Sequence, residues 1–61
     1  MKIAEYKNGA YVSQDLPLPM SGLIVVKVYK PSGELHDKVK CYERSTALEY
    51  FKAFKAIAKN L

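Results

Sequence analysis

The sequence predicts an α+β domain: a small, mainly antiparallel sheet of three to four strands packed on one C-terminal helix. Three observations lead there. Residues 23–30, LIVVKVYK, are dense in β-branched side chains, which pack well on a pleat. Two turn signals, Asn8-Gly9 and Pro31-Ser32-Gly33-Glu34, separate strand-like segments. Residues 46–60 repeat apolar side chains at three- and four-residue steps with no internal glycine or proline. The 61 residues suffice for a single domain, 1–61. A domain of this size buries only about 60% of the surface its unfolded chain exposes, so it is marginally stable alone.

Residues 2–7 and 10–14 flank Asn8-Gly9, a pair that tolerates the positive φ of a two-residue type I′ turn. A hairpin with Lys7 opposite Ala10 sets Tyr6 across from Tyr11. Residues 15–22, DLPLPMSG, hold Pro17 and Pro19, which lack amide hydrogens and restrict their predecessors. An extended, irregular connection is expected there, with Leu16, Leu18 and Met20 covering an edge of the core. The strand at 23–30 is apolar on both faces, as a central strand is. The strand at 35–42 is more polar and closer to one-sided.

Two registers for these last strands are open. A four-residue turn pairs Lys30 with Leu35, Val28 with Asp37, Val26 with Val39 and Ile24 with Cys41. A three-residue loop with Gly33 in a bulge pairs Lys30 with Glu34 and Lys27 with Asp37. The first is favoured because it sets Ile24, Val26 and Val28 on the face of Val39 and Cys41. A slip of one residue flips one strand's side chains to the other face. In the helix, Thr46-Ala47-Leu48-Glu49 fits a capping box, with Ser45 as a rival cap. Ala47, Tyr50, Phe51, Phe54, Ile57, Ala58 and Leu61 form its apolar stripe, and Lys52, Lys55 and Lys59 share another face.

The net charge is +4, with ten basic and six acidic residues. Residues 22–61 carry all of it. That permits an anionic partner without demanding one. Cys41 is the only cysteine, so an intrachain disulfide is excluded, and no Cys/His cluster provides a zinc site. The usual staples of a mini-protein are absent, so packing alone holds the chain or it pairs with a copy or a partner. The Met1-Lys2 start has no long apolar run behind it, which points to a chain without a secretory signal and to a cytoplasmic protein. It also points to a whole chain rather than an excised piece. The longest apolar run, residues 23–26, is far too short to span a bilayer.

Catalytic chemistry finds no motif here. His36 has no cysteine or second histidine beside it, and the adjacent Asp37 of the same strand points the other way, so no triad is made. The six carboxylates are scattered, and three glycines form no phosphate loop. The expectation is a protein that is not an enzyme and that uses no cofactor or metal. Lys27, Tyr29, His36, Lys38, Lys40, Tyr42 and Arg44 make the candidate nucleic-acid-binding set. Lysines neutralise phosphates, and tyrosines stack on bases or hydrogen-bond to phosphates. The plainer reading of the same lysines is a solvated face that blocks edge-to-edge aggregation. Leu16, Leu18, Met20, Leu23 and Val25 are the candidate protein interface. DNA or RNA, a second copy, and an acidic protein are the expected partners; a membrane is not.

One resemblance concerns residues 22–61. A strand, a Pro-Ser-Gly-Glu turn, a second strand and Ser-Thr-Ala-Leu-Glu opening a helix resemble the arm-type DNA-binding domain of tyrosine recombinases from phages and mobile elements. Tyr29, the Gly33 turn, Tyr42 and Thr46-Ala47 fall in matching places. The resemblance implies a three-stranded sheet against a C-terminal helix, DNA read by the sheet face, and a regulatory role on a phage or mobile element.

Overall fold

The computed structural model describes residues 2–61. Four strands, β1 (Lys2–Glu5), β2 (Tyr11–Gln14), β3 (Ile24–Tyr29) and β4 (Leu35–Cys41), precede one helix, α1 (Arg44–Lys59). The sheet runs β1-β2-β3-β4 with every neighbour antiparallel, and α1 packs on one face. This is the predicted fold. The sheet has one strand more than the arm-type plan implies.

Strand β3 shows why the layers form. Its alternate residues Ile24, Val26 and Val28 are buried, and Val25, Lys27 and Tyr29 between them are half-buried. A period of two puts the first set under the helix. There they meet Ala10, Val12 and Cys41 from the sheet and Ala47, Phe51, Phe54 and Ala58 from α1. Each large apolar side chain buried this way contributes about 1.5–3 kcal/mol. The apolar stripe of α1 is narrower than its spacing predicts. Tyr50, Ile57 and Leu61 are exposed, because the helix lies chiefly over β2 and β3 and reaches β4 little. At the other flank, Lys2 Nζ and Lys55 Nζ lie 4.9 and 5.6 Å from the Phe51 ring centroid. Both stems thereby shield the edge of the core while the charges stay wet.

Both short hairpins use the same loop. Tyr6 N–H donates to Ala10 O (3.0 Å) and Gly9 N–H to Tyr6 O (3.0 Å); Lys30 N–H donates to Glu34 O (2.8 Å) and Gly33 N–H to Lys30 O (2.8 Å). Gly9 and Gly33 each have φ of 95°, and no other kind of residue among those described has positive φ. These are three-residue loops closed by a glycine bulge, not the type I′ turn expected at Asn8-Gly9. Asn8 holds the first loop with its side chain. Its Oδ1 accepts from Ala10 N–H at 2.8 Å, and its Nδ2 donates to Ala58 O at 3.0 Å, tying the hairpin to the end of α1. In consequence Tyr11 pairs with Glu5 and Tyr29, not with Tyr6.

Between β3 and β4, both open registers occur, one after the other. The three-residue loop and its glycine bulge set Lys30 against Glu34 and Tyr29 against Leu35. A shift then follows, and Val28 faces Asp37, Val26 faces Val39 and Ile24 faces Cys41. His36 is the extra residue of that second bulge. The turn chemistry dictates the first register; burial of Ile24, Val26 and Val28 with Cys41 dictates the second.

Two further expectations are corrected. The helix begins at Arg44 with extended Glu43 as its N-cap and no side-chain cap, so the Thr46–Glu49 capping box does not form. The ladder ends at Cys41, and only Tyr42 and Glu43 separate it from the helix. Ala47 N–H then already bonds to Glu43 O. The connection at 15–23 is also less irregular than expected. Asp15 N–H to Val25 O and Leu18 N–H to Leu23 O, both 3.0 Å, prolong the β2–β3 hairpin into an arm. Leu16, Leu18 and Met20 do not cover the core. They stand exposed on this arm, with Met20 at 99% exposure, because these hydrogen bonds hold the segment as a continuation of the hairpin and not folded over the core. No helix among the described residues is long and apolar enough to cross a membrane.

Candidate nucleic-acid interface

The face of the sheet opposite α1 is uncovered. The cross-strand register lays it out in rows from β1 to β4. At the loop end, Glu5, Tyr11, Tyr29 and Leu35 form one row. Ile3, Ser13, Lys27 and Lys38 form the next. Beyond them Val25 faces Lys40. Tyr11 and Tyr29 are stacked, with ring centroids 4.5 Å apart and planes 17° from parallel. Such a pair contributes about 0.5–1.5 kcal/mol beyond its buried area.

The lysines are the unusual part. Lys27 on β3 stands directly opposite Lys38 on β4, and Lys40 follows two residues along. Like charges directly opposite one another are destabilising, by up to about 1 kcal/mol. Neither lysine has a carboxylate within salt-bridge distance. Among the described residues the one ion pair is Lys30 with Glu34, at 3.9 Å and exposed, an interaction that contributes little. Glu5, the acid of the Tyr11 row, sits on the far strand β1. The basic half of the face is therefore β3 and β4.

The predicted residues divide into groups. Lys27, Tyr29, Lys38 and Lys40 share the open face. Tyr42 lies just beyond the last residue of β4 and is 70% exposed, so its ring is free. His36 is exposed and sits in the bulge, where the alternation of faces breaks. Arg44 is apart. It opens α1 and lines a cleft of about 240 Å³ with Lys2, Gln14, Asp15, Leu16, Pro17 and Ile24, at the helix-covered side of the sheet. Gln14 Oε1 is buried there without a hydrogen-bond partner. Val25 is half-buried between the strands, and Leu23 is half-buried as well. The helix lysines Lys52, Lys55 and Lys59 belong to α1 and are separated from the sheet lysines by the sheet itself.

Tyr11 was not among the predicted residues. Its partner is on β3, and the pairing of β2 with β3 across the long arm leaves no local signal. Cys41 is buried with its thiol 3.6 Å from Ile24 O, a core position. Among the described residues no three His, Cys, Asp or Glu side chains come together as a metal site. What the arrangement offers chemically is positive charge interleaved with apolar and aromatic side chains on an open sheet face.

Comparison with protein-family models, with curated proteins and with solved structures finds no match in any of the three.

Proposed function

We propose that this protein binds nucleic acid through the open face of its sheet. Lys27, Lys38 and Lys40 meet phosphates, with Tyr29 and Tyr42 beside them for stacking or hydrogen bonding. The observation that carries this reading is the Lys27–Lys38 pair, two like-charged residues directly opposite one another with no carboxylate within salt-bridge distance of either ammonium. A phosphate between them turns a repulsive pair into an attractive cluster. His36 at the bulge can add a contact at the rim, and Arg44 lies outside the primary surface. In this reading the protein is a small regulatory, non-enzymatic factor of the reducing cytoplasm, where a free Cys41 is ordinary.

Pairing of β4 with a second copy fits less well. Two-fold antiparallel pairing centred on Lys38 or Val39 sets Lys38 against its own copy or against Lys40. The Lys38 N–H already bonds to Asp37 Oδ1 at 2.8 Å, and the His36 bulge bends the strand. Bulges and edge lysines are the devices by which sheet edges avoid pairing. A protein partner has a better surface elsewhere, on the arm with Leu16, Leu18 and Met20. Measurement of solution mass before and after Met20→Ser tests that second reading, and a monomer in both removes self-association through the arm.

Titration of the protein into labelled DNA and RNA oligonucleotides, followed by fluorescence anisotropy, tests the first. With three phosphate contacts, affinity falls roughly 20- to 40-fold between about 50 and about 200 mM salt. Failure to bind either nucleic acid at low salt refutes it.

A further inference from the structure

Resting on the nucleic-acid reading, we infer that the open face takes a single strand with exposed bases in preference to a duplex. Two observations lead there. The first is width. Four strands about 4.8 Å apart make a surface about 14 Å across between its outer backbones, before side chains are added. The major groove of B-form DNA is about 12 Å wide and admits a helix or a two-stranded ribbon. Lys27 sits on the inner strand β3, with β2 and β1 on one side and β4 on the other. A face four strands wide is broader than the two-stranded ribbon that this groove admits.

The second is composition. The lysines are interleaved with Ile3, Val25, Tyr29 and Leu35, and Tyr42 follows just past the end of β4. Ile3, Leu35 and Tyr42 are exposed, and Val25 and Tyr29 are half-buried. A duplex keeps the faces of its bases inside and offers phosphates, sugars and base edges. Apolar and aromatic groups gain little from those. A single strand offers base faces as well as phosphates, and aromatic side chains beside a basic track hold it. Tyr29 already gives one ring face to Tyr11. Tyr42, two residues past Lys40 and 70% exposed, has its ring free. A strand running along β4 then sets phosphates on Lys38 and Lys40 and a base on Tyr42. DNA and RNA share this chemistry.

Anisotropy titrations with a twelve-nucleotide oligothymidine, the matching oligouridine and a twelve-base-pair DNA duplex, all at one low salt concentration, decide it. At least one single strand is expected to bind about ten-fold or more tightly than the duplex. The thymidine and uridine arms distinguish DNA from RNA as the preferred source. Tyr42→Ala lowers single-strand affinity about ten-fold and duplex affinity by much less, whereas Tyr42→Phe keeps single-strand affinity near wild type. Circular dichroism of each variant excludes unfolding as the cause. Duplex binding equal to or tighter than both single strands overturns this inference and leaves nucleic-acid binding standing. Equal loss of both on Tyr42→Ala also overturns it. Absence of binding to all three overturns this inference and the reading beneath it.

Discussion

The two faces of β3 share one backbone and have opposite fates. On one, Ile24, Val26 and Val28 are sealed by α1; on the other, Val25, Lys27 and Tyr29 remain half-open between β2 and β4. The covered face obeys packing alone, and every residue on it is apolar. The open face carries a repulsive lysine pair that packing does not require. Stability therefore resides on one side of the sheet and the candidate chemistry on the other, and substitutions should separate them.

The largest effect is expected on the covered face. Phe51→Ala removes a buried ring at the centre of the helix-to-sheet contact and should cost about 3–5 kcal/mol, enough to unfold much of a domain this small. Thermal or urea unfolding followed by circular dichroism checks it. Asn8→Ala comes next. It removes the side-chain hydrogen bond that holds the loop at Ala10 and the one that joins the first hairpin to Ala58, and should cost about 1–2 kcal/mol by urea unfolding. Tyr11→Ala on the open face breaks the stack with Tyr29 and should cost more than its neighbour Ser13→Ala, by about 0.5–1.5 kcal/mol for the ring pair plus lost area. The smallest effect has the opposite sign. Lys38→Glu replaces a like-charge pair with an opposite-charge one across from Lys27, and should leave stability unchanged or raise it by about 0.2–1 kcal/mol while weakening nucleic-acid binding. A stability loss above about 1 kcal/mol would show that Lys38 is there for the fold.

Much of this was legible in the sequence, for physical reasons that differ by element. Strand β3 and α1 announce themselves because each has a dense apolar pattern of the right period. The last two strands allowed two registers, and the structure uses both, since a bulge at His36 reconciles loop chemistry with burial. No pattern of apolar residues marks a bulge in a strand this polar. The Asn8-Gly9 turn was located correctly but misassigned in type, because Asn8 spends its side chain on Ala10 and on Ala58, fifty residues away. The cap of α1 was missed because where the β4 ladder ends, rather than side-chain preference, sets its start. At the candidate site, Lys27, Tyr29, Lys38 and Lys40 come together because β4 beyond the bulge takes the favoured register. Arg44 does not, since the chain crosses to the other side of the sheet at Tyr42 and Glu43. Tyr11 joined the face through strand order, which local sequence does not encode.

Charge reversal at matched sites on the two sides of the molecule is the most direct test that the open face, and not net charge, binds nucleic acid. Lys38→Glu with Lys40→Glu changes the sheet; Lys52→Glu with Lys59→Glu changes the exposed side of α1 by the same charge. Oligonucleotide affinity at low salt should collapse in the first double variant and fall only modestly in the second. Equal losses in the two would contradict a binding face on the sheet.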